Sequence, residues 1–398
     1  MSIDLVTNLE KPKQRVSIFF AGLALFSMFF GAGNIVFPLL LGQVSGNETS
    51  SAVLGLAISA VAFPFLGLIS MMLYGGNLIR FLGRLDKWPS LILLLILQLT
   101  QGPIGCVPRL VTLMHASIKP YFPEVSLFVF SIFICLSLFL LTFRPQKIVD
   151  LLGAILTPCL IVALGILIVF GLLNAPEVQT VSEGAKYHLM QGIKGGYQTM
   201  DLIGSLLFAT VILPHLGQGL SSVPEVEAKK ILRKRMVGAS LIAAFLLMAT
   251  YIGLCWISAH HTFGMDKAIA PEYLLQAIAI KILGPQGGVV AAVAIFLACL
   301  TTAISLTVVF SEYLRETIFQ HKVSSSFTLT LTLLITGMFA NLGFAGIVKF
   351  TGPILEVLYP SLIVLCLFNI AHSMYRVQAV QTPVFFTLGF ALGGLSLG

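Results

Sequence analysis

The sequence predicts an all-α membrane protein: one helical bundle of about eleven transmembrane helices, the first and sixth broken at mid-depth. Two observations carry this fold class. Of the 398 residues 57% are hydrophobic and only 10% charged, where a soluble domain carries about a quarter charged. Two of the apolar segments are also interrupted by glycines and polar residues at a depth where no water can satisfy freed backbone. Such backbone is tolerated only when buried in protein or lining a polar cavity, and broken helices at mid-membrane are where secondary transporters hold substrate and ions.

Residues 1–15 form a polar arm with Lys11, Lys13 and Arg15. The apolar stretch behind it, 16–41, is too long for a signal-peptide core and has no small-residue cleavage site, so it reads as the first span. Its centre is Ser27-Met28-Phe29-Phe30-Gly31-Ala32-Gly33-Asn34-Ile35-Val36-Phe37-Pro38, the first break. Further spans are expected at 52–79, 88–115, 125–143, 149–173, 196–216, 236–258, 286–312, 325–341, 346–370 and 382–398. The sixth opens on Gly196-Tyr197-Gln198-Thr199-Met200-Asp201, continues through Gly204-Ser205 and ends at Pro214, much as the first reaches Pro38. Two interrupted spans five helices apart predict a five-plus-five inverted repeat, since an odd count reverses the second copy. The expected division is one transporter domain, 1–398: the arm, a first repeat over 16–173, a second over 196–370 and an extra helix at 382–398. The stretch 174–195 reads as a polar external segment. Within 260–285, the periodicity of Pro271 to Leu283 predicts a short helix across the outer mouth.

With the arm in the cytoplasm, Arg80, Arg84, Lys87, Arg144, Lys147, the cluster Lys229 to Arg235, Arg315, Lys322 and Arg376 all fall on the same side. That is the positive-inside pattern, with a cytoplasmic N-terminus and an external C-terminus. The net charge of +7 therefore reports topology and not a nucleic-acid partner. The six cysteines lie in apolar segments without CxxC spacing and read as small buried hydrophobes. No HExxH, paired intramembrane aspartates or Ser-His constellation suggests an enzyme. His260-His261 lacks an acid or cysteine at ligand spacing, and no feature calls for an organic cofactor. Nothing fixes the oligomeric state.

Four places carry candidate chemistry. Asp201 is an acid inside a span, costing roughly 2.5–3.5 kcal/mol to insert; it either caps its helix or serves as ligand to a coupling ion or substrate ammonium. Thr301 and Thr302, in the eighth span, either bond back to carbonyls one turn earlier or supply oxygens to a hard cation. Gln101 to Arg109, with two glycines and two prolines, must kink the third span. There Arg109 is expected to snorkel outward, in preference to pairing with an acid such as Asp201. Glu356 is a second intramembrane acid, for gating, proton coupling or a wet vestibule.

Taken in order, Phe29-Phe30-Gly31-Ala32-Gly33-Asn34-Ile35-Val36-Phe37-Pro38, Gly102-Pro103 with Pro108-Arg109, Gly196 to Asp201, and Leu297-Ala298-Cys299-Leu300-Thr301-Thr302-Ala303 resemble the bacterial branched-chain amino acid:cation symporter family. That resemblance implies a leucine-transporter-like fold in the bacterial inner membrane and import of leucine, isoleucine and valine with sodium or a proton. A transport-inactive amino acid sensor of the same fold, or a symporter for another neutral amino acid, are the alternatives. Carried over by position, it places the substrate carboxylate against N–H groups near Ala32, Gly33 and Asn34. The ammonium then lies around Asp201, Gly204 and Ser205, and a sodium ion between Ser27, Phe30, Ala298, Thr301 and Thr302. The chain departs from the family after Arg109, with Leu110, Met114, His115 and Ala116, and stops one helix short of the usual twelve.

Overall fold

The computed structural model describes residues 17–142, 156–221, 223–262, 269–377 and 380–396. The N-terminal arm and the start of the expected fifth span lie outside the described residues, as do Arg144 and Lys147. No strand occurs among the described residues.

The first span is two helices, α1 (Ile18–Phe29) and α2 (Ala32–Ser45), separated by Phe30-Gly31. Ser17 opens α1 by accepting a hydrogen bond from the Phe20 N–H at 3.4 Å. After the turn at Gly46, α3 (Thr49–Ala57) and α4 (Phe63–Leu73) run on through one π turn at Ile58–Ala62. A short α5 (Leu78–Leu82) leads to α6 (Lys87–Gln101) and α7 (Cys106–Ile118). Then come α8 (Leu127–Thr142) and α9 (Thr157–Leu173).

The second half starts with α10 (Ala185–Gln198) and α11 (Asp201–Leu216), the sixth span. It continues with α12 (Glu225–His261), α13 (Leu274–Leu283), α14 (Pro285–Tyr313), α15 (Ser325–Ala340) and α16 (Gly343–Tyr375), followed by α17 (Gln381–Ser396). Six helical runs are long and apolar enough alone to cross a membrane. Four shorter apolar helices, Ile18–Phe29, Leu127–Thr142, Thr157–Leu173 and Ser325–Ala340, accompany them among the described residues.

Two expectations change. The sixth span begins at Ala185 and not at Gly196, so most of the expected external segment's second half is helix. Its composition hid it: Lys186, His188, Gln191 and Lys194 make α10 look like a loop. Packing settles the matter. A Cβ on Gly192 would run into the Ala52 carbonyl, one on Gly196 into Ser59, and one on Gly55 into the Leu189 carbonyl. Small residues at i and i+4 on both helices thus let the α3–π-turn segment and α10 touch backbone to backbone, the membrane substitute for a hydrophobic drive. In consequence Asp201 lies sixteen residues along this span, about 24 Å from its start at 1.5 Å per residue. That is the midpoint of the Ala185–Leu216 run.

The predicted mouth helix is present as α13, preceded by a 3-10 turn at Pro271–Tyr273. It is more than a surface element. Leu274, Leu275, Ile278 and Ala279 are buried, and Gln276 Nε2 donates to the Ser117 carbonyl at 3.1 Å. The helix is thereby wedged between the end of α7 and α14.

Candidate functional site

The first break sets two kinds of backbone group free. The end of α1 leaves carbonyls without intrahelical donors, and the start of α2 leaves the N–H groups of Ala32, Gly33 and Asn34 without intrahelical acceptors. These are the negative and positive ends of two half-helix dipoles. The Gly31 N–H is held by Asn34 Oδ1 at 3.0 Å, a cap that fixes the start of α2. Gly31 has little room: a Cβ there would stand 3.0 Å from Leu110 Cδ2 and 3.2 Å from Thr302 Oγ1.

The second break falls at Thr199-Met200. Met200 adopts the left-handed conformation at φ 65, costly for a residue with a side chain, and Asp201 then opens α11. Asp201 is only 2% exposed. Asn34 Nδ2 donates to its Oδ1 at 2.9 Å and its Oδ2 at 2.7 Å, and the Tyr251 hydroxyl donates to Oδ2 at 2.8 Å. Asn34 Nδ2 also contacts the Tyr251 hydroxyl. An acid at a helix N-terminus complements the dipole there, so the capping role and the ligand role are compatible. The breaks abut: a Cβ on Gly33 would lie 2.9 Å from Thr199 Cα and 3.1 Å from the Gln198 carbonyl.

Of the other residues expected to meet the substrate ammonium, Gly204 faces Gln101 and Phe208. Ser205 turns away from the gap. Its hydroxyl donates to the Leu202 carbonyl at 2.7 Å and fills the space beside Gly67 on α4. Asp201, Gly204 and Ser205 all lie at an N-terminus, so the carbonyls freed by this break belong to α10.

All five oxygens expected to hold a cation converge between α1 and α14. Thr301 Oγ1 lies 3.1 Å from the Ser27 carbonyl and 2.9 Å from that of Ala298. Thr302 Oγ1 lies 3.0 Å from Ser27, 3.2 Å from Phe30 and 3.2 Å from Ala298. The hydroxyls therefore bond back one turn along α14, as the sequence allowed, and also reach across to the α1 carbonyls. Five neutral oxygens with no sulfur or imidazole suit a small hard cation.

A third break was legible only as a kink. Gly102 and Gly105 leave the helical region and separate α6 from α7. Arg109 follows one turn later and does not snorkel. It is 2% exposed, donates from Nη1 to the Gln198 carbonyl at 3.2 Å, and bonds Thr351 through Nη2. The C-terminal end of α10 offers a buried cation what lipid headgroups would otherwise provide. Arg109 forms no ion pair with Asp201. Glu356, by contrast, is exposed on α16, away from the breaks.

Sequence reading missed Tyr251 and Tyr359. Tyr251, a polar handle in the apolar run of α12, was visible as such; Tyr359 receives the Leu202 N–H at 3.3 Å on its hydroxyl. Three buried amide oxygens, of Gln98, Gln101 and Gln198, and Nε of Arg109 lack hydrogen-bond partners.

Broken helices of this kind, in an all-α membrane bundle, are those of the leucine-transporter-like fold. Solved structures share the fold at low identity. A substrate-bound, outward-open Na+-coupled sialic acid symporter superposes with a TM-score of 0.59 at 11% identity, over 95% of this chain and 88% of that one. Mhp1, a nucleobase-cation-symport-1 family transporter in a closed conformation, gives 0.57 at 12% identity over 97% and 93%. The chain belongs to the branched-chain amino acid transport protein family, whose sequence profile matches residues 14–395. A putative branched-chain amino acid carrier protein of Staphylococcus epidermidis is 31% identical over 357 residues, covering 85% of this chain and 78% of the relative. The branched-chain amino acid permease BraB of Bacillus subtilis is 29% identical over 392 residues, covering 95% and 86%. The protein is thus a multi-pass transporter of a bacterial inner membrane.

Proposed function

We propose that this transporter imports leucine, isoleucine and valine by alternating access, coupled to sodium, with its N-terminus in the cytoplasm. The observation that carries the coupling is the five-oxygen cluster of Ser27, Phe30, Ala298, Thr301 and Thr302. A sodium ion there ties the end of α1 to α14, so its arrival and departure bias how the two helices sit together. The substrate carboxylate lies at the N–H groups of Ala32, Gly33 and Asn34, and its ammonium toward Asp201. An aliphatic side chain then enters apolar surroundings, which separate leucine, isoleucine and valine by only about 1–3 kcal/mol per methylene. Family membership supports the substrate class, and the buried apolar side chains of Phe30, Leu110 and Phe208 beside the breaks agree with it.

Uptake of labelled isoleucine into proteoliposomes, with an inward sodium gradient, an inward proton gradient or neither, tests the reading. Sodium-dependent accumulation is expected. Accumulation driven by the proton gradient alone would transfer the coupling role to a proton. Saturable binding without flux would favour a sensor, and preference for another amino acid in a competition panel would replace the substrate.

A further inference from the structure

Arg109 is a buried guanidinium with no carboxylate beside it. An unpaired charge at mid-membrane is expensive, and such groups normally face a partner or a polar cavity. Its two hydrogen bonds, to the Gln198 carbonyl and Thr351, use the Nη atoms, while Nε is buried without a partner. A guanidinium offers five N–H donors in a fork shaped for a carboxylate, so this one is only partly used.

Its position supplies the rest. The Gln198 carbonyl that receives Nη1 is also beside Gly33, in the first turn of α2. Arg109 therefore stands close to the free N–H groups that open that helix. Arg109 and Asp201, both buried, form no ion pair with each other. The unpartnered amide oxygens of Gln101 and Gln198 stand on the same broken helices. The Gln198 amide lies beside Gly352, next to Thr351, while the Gln101 side chain faces Gly204 in the first turn of α11. A spare donor thus stands at Arg109 and a spare acceptor, that of Gln101, toward the Asp201 helix.

We propose that Arg109 is a substrate-binding residue, gripping the α-carboxylate of a zwitterionic amino acid whose ammonium faces Asp201. The ligand supplies the acceptor that Arg109 Nε lacks and a donor for the Gln101 amide oxygen. This assignment rests on the amino acid transport reading and deepens it. It also accounts for the third broken helix, because the Gly102 to Gly105 break redirects the chain so that α7 brings the guanidinium to the meeting point of the other two. A gap with one fixed charge of each sign selects α-amino acids over amines or simple acids of the same shape.

The test compares binding of isoleucine and of isoleucinamide, which keeps side chain and ammonium but replaces the carboxylate by a neutral amide. Purified full-length protein in sodium is used. Arg109→Gln is expected to weaken isoleucine by about 100-fold while changing isoleucinamide by less than about threefold. A parallel loss of both ligands, with wild-type binding intact, would show that Arg109 only braces α10 against α16, and would overturn the assignment alone. Should Arg109→Gln not fold, Arg109→Lys carries the test. It retains a charge without the fork, so the preference for isoleucine narrows if the fork grips the carboxylate; an unchanged preference overturns the assignment. A wild-type protein that binds neither ligand would overturn the transport reading, and this assignment with it.

Discussion

Asn34 Nδ2 reaches both carboxylate oxygens of Asp201, at 2.9 and 2.7 Å, across 167 positions of sequence. The same side chain holds the Gly31 N–H through its oxygen. One amide therefore fastens the first break to the second and caps α2 as well. Asn34→Ala leaves a buried carboxylate with one donor fewer and an amide without its acceptor. Hydrogen bonds to charged groups contribute about 1.5–3 kcal/mol. A fall in melting temperature in detergent and a loss of isoleucine uptake of more than about tenfold are expected together; an unchanged melting curve would remove the fastening role.

Asp201→Asn separates charge from shape. Should the ammonium face Asp201, isoleucine affinity drops by about 100-fold with the fold intact, since the partner charge is gone. Unchanged affinity returns Asp201 to capping α11.

The two threonines make a graded prediction. Thr302→Val and Thr301→Val each remove one oxygen from the cluster and fill the space with a methyl group. Half-saturating sodium for isoleucine binding is expected to rise by more than about tenfold in either variant. Thr302→Ser keeps the oxygen and stays near wild type. A sodium curve that Thr302→Val does not move would place the ion elsewhere.

Gly31→Ala tests crowding at the first break. Its methyl group would press on Leu110 Cδ2 at 3.0 Å and Thr302 Oγ1 at 3.2 Å. Both neighbours are buried in packed surroundings, so uptake is expected to fall by more than about tenfold. Gly165→Ala, where nothing stands within 4 Å, is the matched control and keeps wild-type uptake.

The bundle and the first break were legible because apolar length and the Gly31 to Asn34 cluster need no tertiary context. The convergence of the five oxygens was also legible, residue by residue, through the family resemblance. Composition misled at α10, whose lysines and histidine look like loop until Gly192 and Gly196 are set against α3. Arg109 failed for a related reason: a guanidinium near a helix kink has no visible acceptor in sequence, and the Gln198 carbonyl that receives it is 89 residues away. Tyr251 could be noticed as polar, but not assigned to Asp201, since that pairing depends on how α12 crosses the break.

The cluster between α1 and α14 consists of three main-chain carbonyls and two hydroxyls, none of them charged. A sodium ion held there keeps its whole charge, and the same cluster without it is neutral. The loaded and empty carriers then differ by one elementary charge. A membrane potential acts on that difference with about 2.3 kcal/mol per 100 mV for full transit. With sodium as the proposed coupling ion, an interior-negative voltage would act on the loaded form and leave the neutral empty cluster indifferent on the return. The absence of acidic ligands would thus put the voltage-sensitive step in the loaded half of the cycle.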